Sequence, residues 1–278
     1  MSKDITPDIF YYKILETIKR DCHVDLSHYR DKLLKRRIVV RLRATKKESL
    51  KEYYGYLKQN PKEVEALFKV MTINVTEFFR DEKVFNLINK KIFPQIIKRK
   101  EKTGSNTIRV WSAACATGEE PCSLLLLLKN YLDKNNKFYS IKILATDIDN
   151  EALAKAKENR FENSLIKKLS PSKRKLIAEH TNNNGQNEFS FKESFFRQIS
   201  FKKSDLIRDK APKNMDLILC RNVFIYFDRE LQRQALTNFS NALCSRGFLA
   251  LGIVESLVPG TKDIFEDLDR ETRLFIKR

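Results

Sequence analysis

The run Val110-Trp-Ser-Ala-Ala-Cys-Ala-Thr-Gly-Glu-Glu-Pro-Cys-Ser123 has the residue types of a ligand-binding turn. Ile108, Val110 and Trp111 give way to small residues and one glycine. Glu119 and Glu120 follow, then Pro121 at the head of a Leu-rich stretch. Further on, Ile141-Lys-Ile-Leu-Ala145 runs into Thr146-Asp147-Ile148-Asp149. The spacing predicts a strand, a small-residue turn, a helix, and a second strand ending in an acid. In that layout the backbone approaches a nucleotide-type ligand, and the acid accepts hydrogen bonds from ribose hydroxyls. Glu119 and Glu120, however, stand where a dinucleotide fold cradles pyrophosphate, and two carboxylates there repel phosphate. A ligand with a ribose and positive charge in place of phosphate fits better. S-adenosylmethionine, with its sulfonium and amino group, is such a ligand.

These residues need a frame. From Ile108 the pattern alternates strand and helix: a helix over Glu151 to Asn159, a strand at Met215 to Cys220, a helix around Arg229 to Leu243, and a strand at Phe248 to Ile253. Alternation of this kind predicts an α/β fold, a parallel doubly wound sheet with helices on both faces. Ligands bind such sheets at the carboxyl ends of the strands, where the small-residue turn and Asp147 fall. The turn cluster Thr181 to Asn187 interrupts the alternation, followed by Phe189, Phe191, Phe195, Phe196, Ile199 and Phe201. It predicts a small antiparallel β insert over about residues 181–203.

Residues 8 to 70 read as helical, with apolar positions at helical spacing in Ile9, Phe10, Ile14, Leu15 and Ile18 and again in Leu33, Leu34, Ile38 and Leu42. The expected division is an N-terminal all-helical domain over residues 1–80 and a main domain over 81–278. Residues 1–60 carry 15 Lys and Arg against 8 Asp and Glu, a net of 15 − 8 = +7. Arg36, Arg37, Arg41 and Arg43 fall largely to one side of Ile38 and Leu42 in a helix, as a basic ridge or simply a solvated face.

The whole chain has 278 residues and a net charge of +18, which suits an acidic partner or reflects lysines spread over the whole chain. No apolar run approaches the roughly 18 residues of a membrane span, and the N-terminus lacks a signal-peptide pattern. Membrane insertion is not expected. Five scattered cysteines read as reduced thiols of a cytoplasmic protein. Three histidines at no ligand spacing give no reason to expect a metal.

Two further segments suit the same cleft: Asn74-Val-Thr-Glu-Phe-Phe-Arg80, and Cys220-Arg-Asn-Val-Phe-Ile-Tyr-Phe227 after another apolar strand. Taken singly, each has a structural explanation. Asn74 and Thr76 could cap a helix, Arg80 could pair with a neighbouring acid, and Tyr226 could be a core tyrosine. Together with the Trp111–Pro121 and Ala145–Asp149 segments, in this order and spacing, they resemble the CheR family. This is the family of S-adenosylmethionine-dependent methyltransferases acting on chemoreceptor glutamates. The likeness runs from about residue 10 to the C-terminus.

The resemblance implies a helical N-terminal domain, a Rossmann-like methyltransferase domain and a small β insert, which in some members binds a receptor tether peptide. It implies that Asn74, Thr76 and Arg80 contact the cofactor. Glu120 would hold its charged amino-acid part, Asp147 the ribose, and Asp205 and Leu206 would border the adenine. Arg221 and Asn222 would line the other side. Arg80 and Tyr226 would lie near the methyl and the substrate carboxylate, with Phe79 or Tyr226 offering an aromatic face to the sulfonium. The product would be S-adenosyl-L-homocysteine. The implied partners are the acidic helical cytoplasmic domains of chemoreceptors, met by the Arg36, Arg37, Arg41 and Arg43 ridge, with no nucleic acid. The family often shows a Gly-His-Ser-Glu-like stretch near the last strands, where this chain reads Gly252-Ile-Val-Glu255.

A glutamate is ionised at pH 7 and attacks a sulfonium methyl without a general base. The chain correspondingly lacks a Ser/His/Asp or Cys/His constellation. Two other functions fit a basic, cofactor-binding chain. One is a nucleic-acid methyltransferase, against which the absence of an Asn/Asp-Pro-Pro-aromatic motif counts. The other is a non-catalytic S-adenosylmethionine-binding regulator, against which the pair Arg80 and Tyr226 counts.

Overall fold

A computed structural model describes residues 9–72, 76–185 and 187–278. The chain divides into two compact units: residues 1–73 with Tyr226–Gln232, and Asn74–Ile225 with Arg233–Arg278. The division thus falls near residue 73, not 80. Phe78 and Phe79 are buried in the core of the second unit, which draws the segment before Arg80 with them.

The first unit is helical, with α1 (Ile9–Cys22), α2 (Asp31–Ala44), α3 (Leu50–Gln59) and α4 (Pro61–Met71). Each buries one stripe. Tyr11, Ile14, Leu15 and Ile18 in α1 recur at three- and four-residue steps, as do Val64, Leu67 and Met71 in α4. Ser49 caps α3 by accepting the Glu52 amide at 3.2 Å, and Pro61 opens α4 where a missing N–H costs nothing. The stretch after the chemistry-bearing Arg221–Asn222 pair returns to this unit, where the Arg30 amide donates to the Tyr226 carbonyl at 2.8 Å.

In the second unit α5 (Glu82–Leu87), a π-helical turn at Ile88–Ile92 and α6 (Phe93–Thr103) lead into β1 (Thr107–Ala113). Then follow α7 (Glu119–Lys134), β2 (Ser140–Asp147), α8 (Asn150–Lys157), β3 (Phe161–Glu162), α9 (Pro171–Glu179), β4 (Thr181–Asn183), β5 (Glu188–Phe191) and α10 (Glu193–Phe196). Last come β6 (Ile199–Lys203), β7 (Met215–Cys220), α11 (Arg229–Ala242, of which residues 229–232 belong to the first unit), β8 (Leu243–Leu251), β9 (Phe265–Asp269) and β10 (Leu274–Lys277). The main sheet has the order β6-β2-β1-β7-β8-β10-β9. The five strands from β6 to β8 are parallel, and β10 runs antiparallel to both its neighbours. A doubly wound sheet of this kind changes direction between β1 and β7, and its ligand crevice opens there.

β7 is buried at every position, as expected of a central parallel strand, and the Leu124–Leu128 run of α7 is buried all round. The β insert differs from the sequence expectation. The three-stranded antiparallel sheet β3-β5-β4 spans residues 161–191, while Ile199–Lys203 pairs with β2 as a strand of the main sheet. Strand pairing decides the split. Phe161, Phe189 and Phe191 gather around Phe78, whereas Ile199 pairs opposite Ile143 of β2. No helix among the described residues is long and apolar enough to cross a membrane.

Candidate active site

Register aligns the carboxyl ends of five strands. Ala113 lies opposite Thr146, Asp147 opposite Lys203, Ser112 opposite Leu219 and Cys220 opposite Leu251. The turn after β1, the acid of β2 and the exit of β7 therefore share one rim.

The turn is tightly wound. Ala114, Ala116 and Gly118 all have positive φ, of 64°, 47° and 98°. Small side chains reduce the cost of this conformation, and at Gly118 even a Cβ would come within 3.3 Å of the Ala156 Cβ and 3.4 Å of the Phe201 ring. Asp147 holds the turn in shape. Its carboxylate accepts the Ala116 amide at 2.8 Å and the Asp149 amide at 2.9 Å. Burial pushes the Asp147 carboxyl above its ordinary value, and these amides only partly oppose the shift. The Trp111 indole donates to the Thr146 hydroxyl at 2.8 Å, fixing the strand end beside it.

The two glutamates at the head of α7 take different places. Glu119 is buried and accepts from the Thr117 hydroxyl at 2.7 Å, and desolvation raises its pKa. Glu120, at the rim, accepts from the Ser112 hydroxyl at 2.7 Å and from Arg221 at 3.2 Å. The other terminal nitrogen of Arg221 donates to the Arg80 carbonyl at 2.8 Å and to Asp81. Its guanidinium lies over the Phe85 ring, 5.4 Å from the centroid. One arginine thus ties the exit of β7 to the turn after β1 and to the segment around Arg80. That segment is itself strained, with Phe79 and Asp81 at φ of 55° and 58°. The Phe79 amide donates to the Ser123 hydroxyl at 2.9 Å, which donates on to the Glu119 carbonyl at 2.6 Å.

The remaining candidates distribute as follows. Thr76 is half-buried just before this segment, and Asn74 lies outside the described residues. Asp205 follows β6 beside Asp147, where the Ser204 amide donates to the Asp147 carbonyl at 2.9 Å. One Asp205 oxygen accepts the Ile207 and Arg208 amides at 2.8 and 3.2 Å, so it caps its own turn. Leu206 is buried, and its carbonyl accepts from Asn238 at 3.0 Å. Asn222 stands at φ 62° after Arg221. Tyr226 belongs to the helical unit, whereas Arg80 belongs to the other. Phe79 does not offer a free aromatic face: it is buried against Phe85, and the Lys173 ammonium sits 4.7 Å from its ring centroid.

The basic helix also differs from the expectation of one ridge. Arg41 is drawn into the helical unit, bidentate to the buried Glu63 at 2.9 and 2.7 Å, and Glu63 also accepts from the Tyr53 hydroxyl at 2.7 Å. Arg36 and Arg43, seven residues apart, share the exposed face with Val39 and Val40. The charge run alone could not reveal this, because the partner Glu63 is contributed by another helix.

Sequence reasoning also missed Glu255, whose carboxylate accepts the Gly252, Asn222 and Phe224 amides at 2.6, 3.1 and 2.7 Å. The only signal was the Gly252-Ile-Val-Glu255 stretch itself, read for its absent histidine.

The rim offers carboxylate oxygens, hydroxyls and backbone, with Arg221 spent on acids. This donor set fits a cationic group beside a hydroxylated sugar, as in S-adenosylmethionine, and opposes a pyrophosphate. Comparison with known proteins agrees. The family described as "CheR methyltransferase, SAM binding domain" matches residues 74–274, and "CheR methyltransferase, all-alpha domain" matches residues 11–72. A chemotaxis protein methyltransferase of Borreliella burgdorferi is 31% identical over 257 residues, covering 91% of this chain and 89% of that protein. One of Listeria monocytogenes is 30% identical over 258 residues, covering 93% of each.

Proposed function

The chain belongs to the CheR family of S-adenosylmethionine-dependent methyltransferases, and from that premise we propose that it methylates glutamate side chains on the cytoplasmic helices of chemoreceptors. The observation that carries the reading is the acidic rim at the strand ends. Glu120 and Asp147 provide anionic acceptors where a nucleotide phosphate site would need donors.

The cofactor supplies an electrophilic methyl on a cationic sulfur. Glu120 takes the amino group, and its negative charge is tempered by Arg221. Asp147 takes the ribose hydroxyls with a carboxylate already oriented by two amides. Asp205 and Leu206 border the adenine, and Thr76 and Asn222 complete the wall.

The acceptor carboxylate needs no base, since it is ionised at neutral pH. Among the described residues, the buried cysteines of this region offer no competing thiolate. Burial pushes the thiols of Cys115, Cys122 and Cys220 well above their ordinary range, so they stay protonated. Arg80 orients the carboxylate. Both charges vanish as the methyl moves, so strong stabilisation of either ground state slows the step, and positioning does most of the work. Arg36 and Arg43, with Arg37 on their flank, meet the acidic face of a receptor helix. The protein acts in the cytoplasm, where those receptor helices lie.

The test is transfer of labelled methyl from S-adenosylmethionine to receptor cytoplasmic domains, followed by mild alkali. Label released as volatile methanol identifies a carboxyl methyl ester and supports the reading. Base-stable label, or label found only on added RNA or DNA, overturns it.

A further inference from the structure

We propose that Glu255 is a positioning residue for methyl transfer: its carboxylate fixes the Asn222–Phe224 turn, and with it the side of the cofactor site formed by Arg221 and Asn222. The inference rests on the functional reading above and adds to it a residue outside the contacts argued there.

The geometry is specific. β7 ends at Cys220 opposite Leu251 of β8, and both chains then turn at the rim. Asn222 adopts φ 62°, a left-handed conformation that residues with a Cβ disfavour. Glu255 pins it from across the sheet. One oxygen accepts the Phe224 amide at 2.7 Å, and the other accepts Asn222 at 3.1 Å and Gly252 at 2.6 Å. The loop is closed on itself by the Glu255 amide donating to the Gly252 carbonyl at 2.8 Å. Nothing larger than glycine fits at 252, where a Cβ would stand 2.7 Å from the Glu255 carboxylate and 2.9 Å from the Asn222 nitrogen.

The opposite end of β7 shows what a purely structural acid looks like in this protein. Asp216 is buried with two cations, Arg99 at 2.7 Å and Lys100 at 2.8 Å, and accepts the Arg109 amide at 2.8 Å. Glu255 is 4% exposed, and its charge is met by backbone amides. Burial accordingly raises its pKa. A buried charge held this way is expensive. What it secures is the direction of three amides and the left-handed turn beside Arg221.

The test compares E255Q with D216N. The glutamine keeps one acceptor oxygen and sets an NH2 group against an amide, so the clamp loses at least one bond. Melting temperature, S-adenosylmethionine affinity by calorimetry, kcat and KM on a receptor domain, and amide exchange at 222–224 are measured on each. Expected for E255Q is a loss of about tenfold or more in cofactor affinity and in kcat/KM, with faster exchange at Phe224. D216N should melt earlier yet keep wild-type affinity in its folded form. Wild-type affinity and turnover in E255Q overturn the proposal, as does parallel loss of stability and affinity in both variants. Should E255Q not fold, G252A carries the same expectation, because its methyl displaces the carboxylate it meets. Failure of the wild-type protein to bind S-adenosylmethionine would instead sink the functional reading.

Discussion

The Arg221 guanidinium, 1% exposed, donates to the Glu120 carboxylate at 3.2 Å, so the acid proposed to hold the cofactor's amino group is itself held by a buried cation from another strand end. The pair keeps Glu120 aimed. In E120Q the guanidinium retains Asp81 and the Arg80 carbonyl, so folding should survive. S-adenosylmethionine affinity should fall roughly tenfold or more, the loss of a charge-assisted bond. Methylthioadenosine has no amino-acid end, so its affinity should stay at the wild-type value. Calorimetry with both ligands checks this, and equal losses would show that Glu120 supports the whole pocket and not one end of it.

Asp147 makes the complementary prediction, because the ribose is common to both ligands. D147N should weaken both by about tenfold to a hundredfold, consistent with a loss of roughly 1.5–3 kcal/mol.

The pH dependence of that site has a definite sign. Burial raises the Asp147 pKa, and the carboxylate is the form that accepts ribose hydroxyls. Cofactor affinity should therefore fall as pH drops through a value above the ordinary 3.9 or so of an aspartate. Stability runs the other way. A raised folded pKa means that this group's contribution is fully present below the unfolded value and is lost as pH rises through the folded one. In the wild-type minus D147N difference, affinity should rise with pH across this window while melting temperature falls. Both moving together would refute the assignment of the raised pKa to Asp147.

Much of this site was legible in the sequence, and the reason is local. The small residues from Ala113 to Gly118 are what a turn with three positive φ values requires, and Asp147 ends a strand whose apolar alternation is visible. What depended on distant partners was not legible. Arg41 looks like its neighbours until Glu63 arrives from α4. Residues 199–203 look like a continuation of the aromatic insert until pairing with β2 claims them. Strand β9, Phe265-Glu-Asp-Leu-Asp269, carries mixed polar sequence at the sheet edge and offers no apolar run to read. Glu255 had no helical or strand periodicity around it, since its role is set by amides across the sheet.

Gly118 tests the turn itself. Its φ of 98° strains any side chain, and a Cβ would press on Ala156 and Phe201. G118A should lower stability by about 1–2 kcal/mol and cost cofactor affinity as well, because the Ala116 amide that Asp147 accepts lies in the same turn. Denaturant unfolding and calorimetry read the two effects separately. A stable variant with unchanged affinity would mean that the turn relaxes without consequence.

The basic helix α2 gives the sharpest contrast, because Arg41 has different work from the arginines two and five residues away. Arg41 is bidentate to Glu63, which is 7% exposed and also holds the Tyr53 hydroxyl. R41A leaves that carboxylate buried without its cation and should destabilise the helical unit by about 3 kcal/mol. Arg36 and Arg43 are exposed, and reversing them disturbs no ion pair among the described residues. R36E with R43E should leave the melting temperature and S-adenosylmethionine affinity unchanged and raise KM for a receptor domain severalfold, an effect that fades at high salt. Charge reversal at Arg41 confounds folding with recognition, so receptor kinetics are informative only for the exposed pair. Unchanged receptor kinetics in R36E with R43E at low salt would remove this face of α2 from substrate recognition.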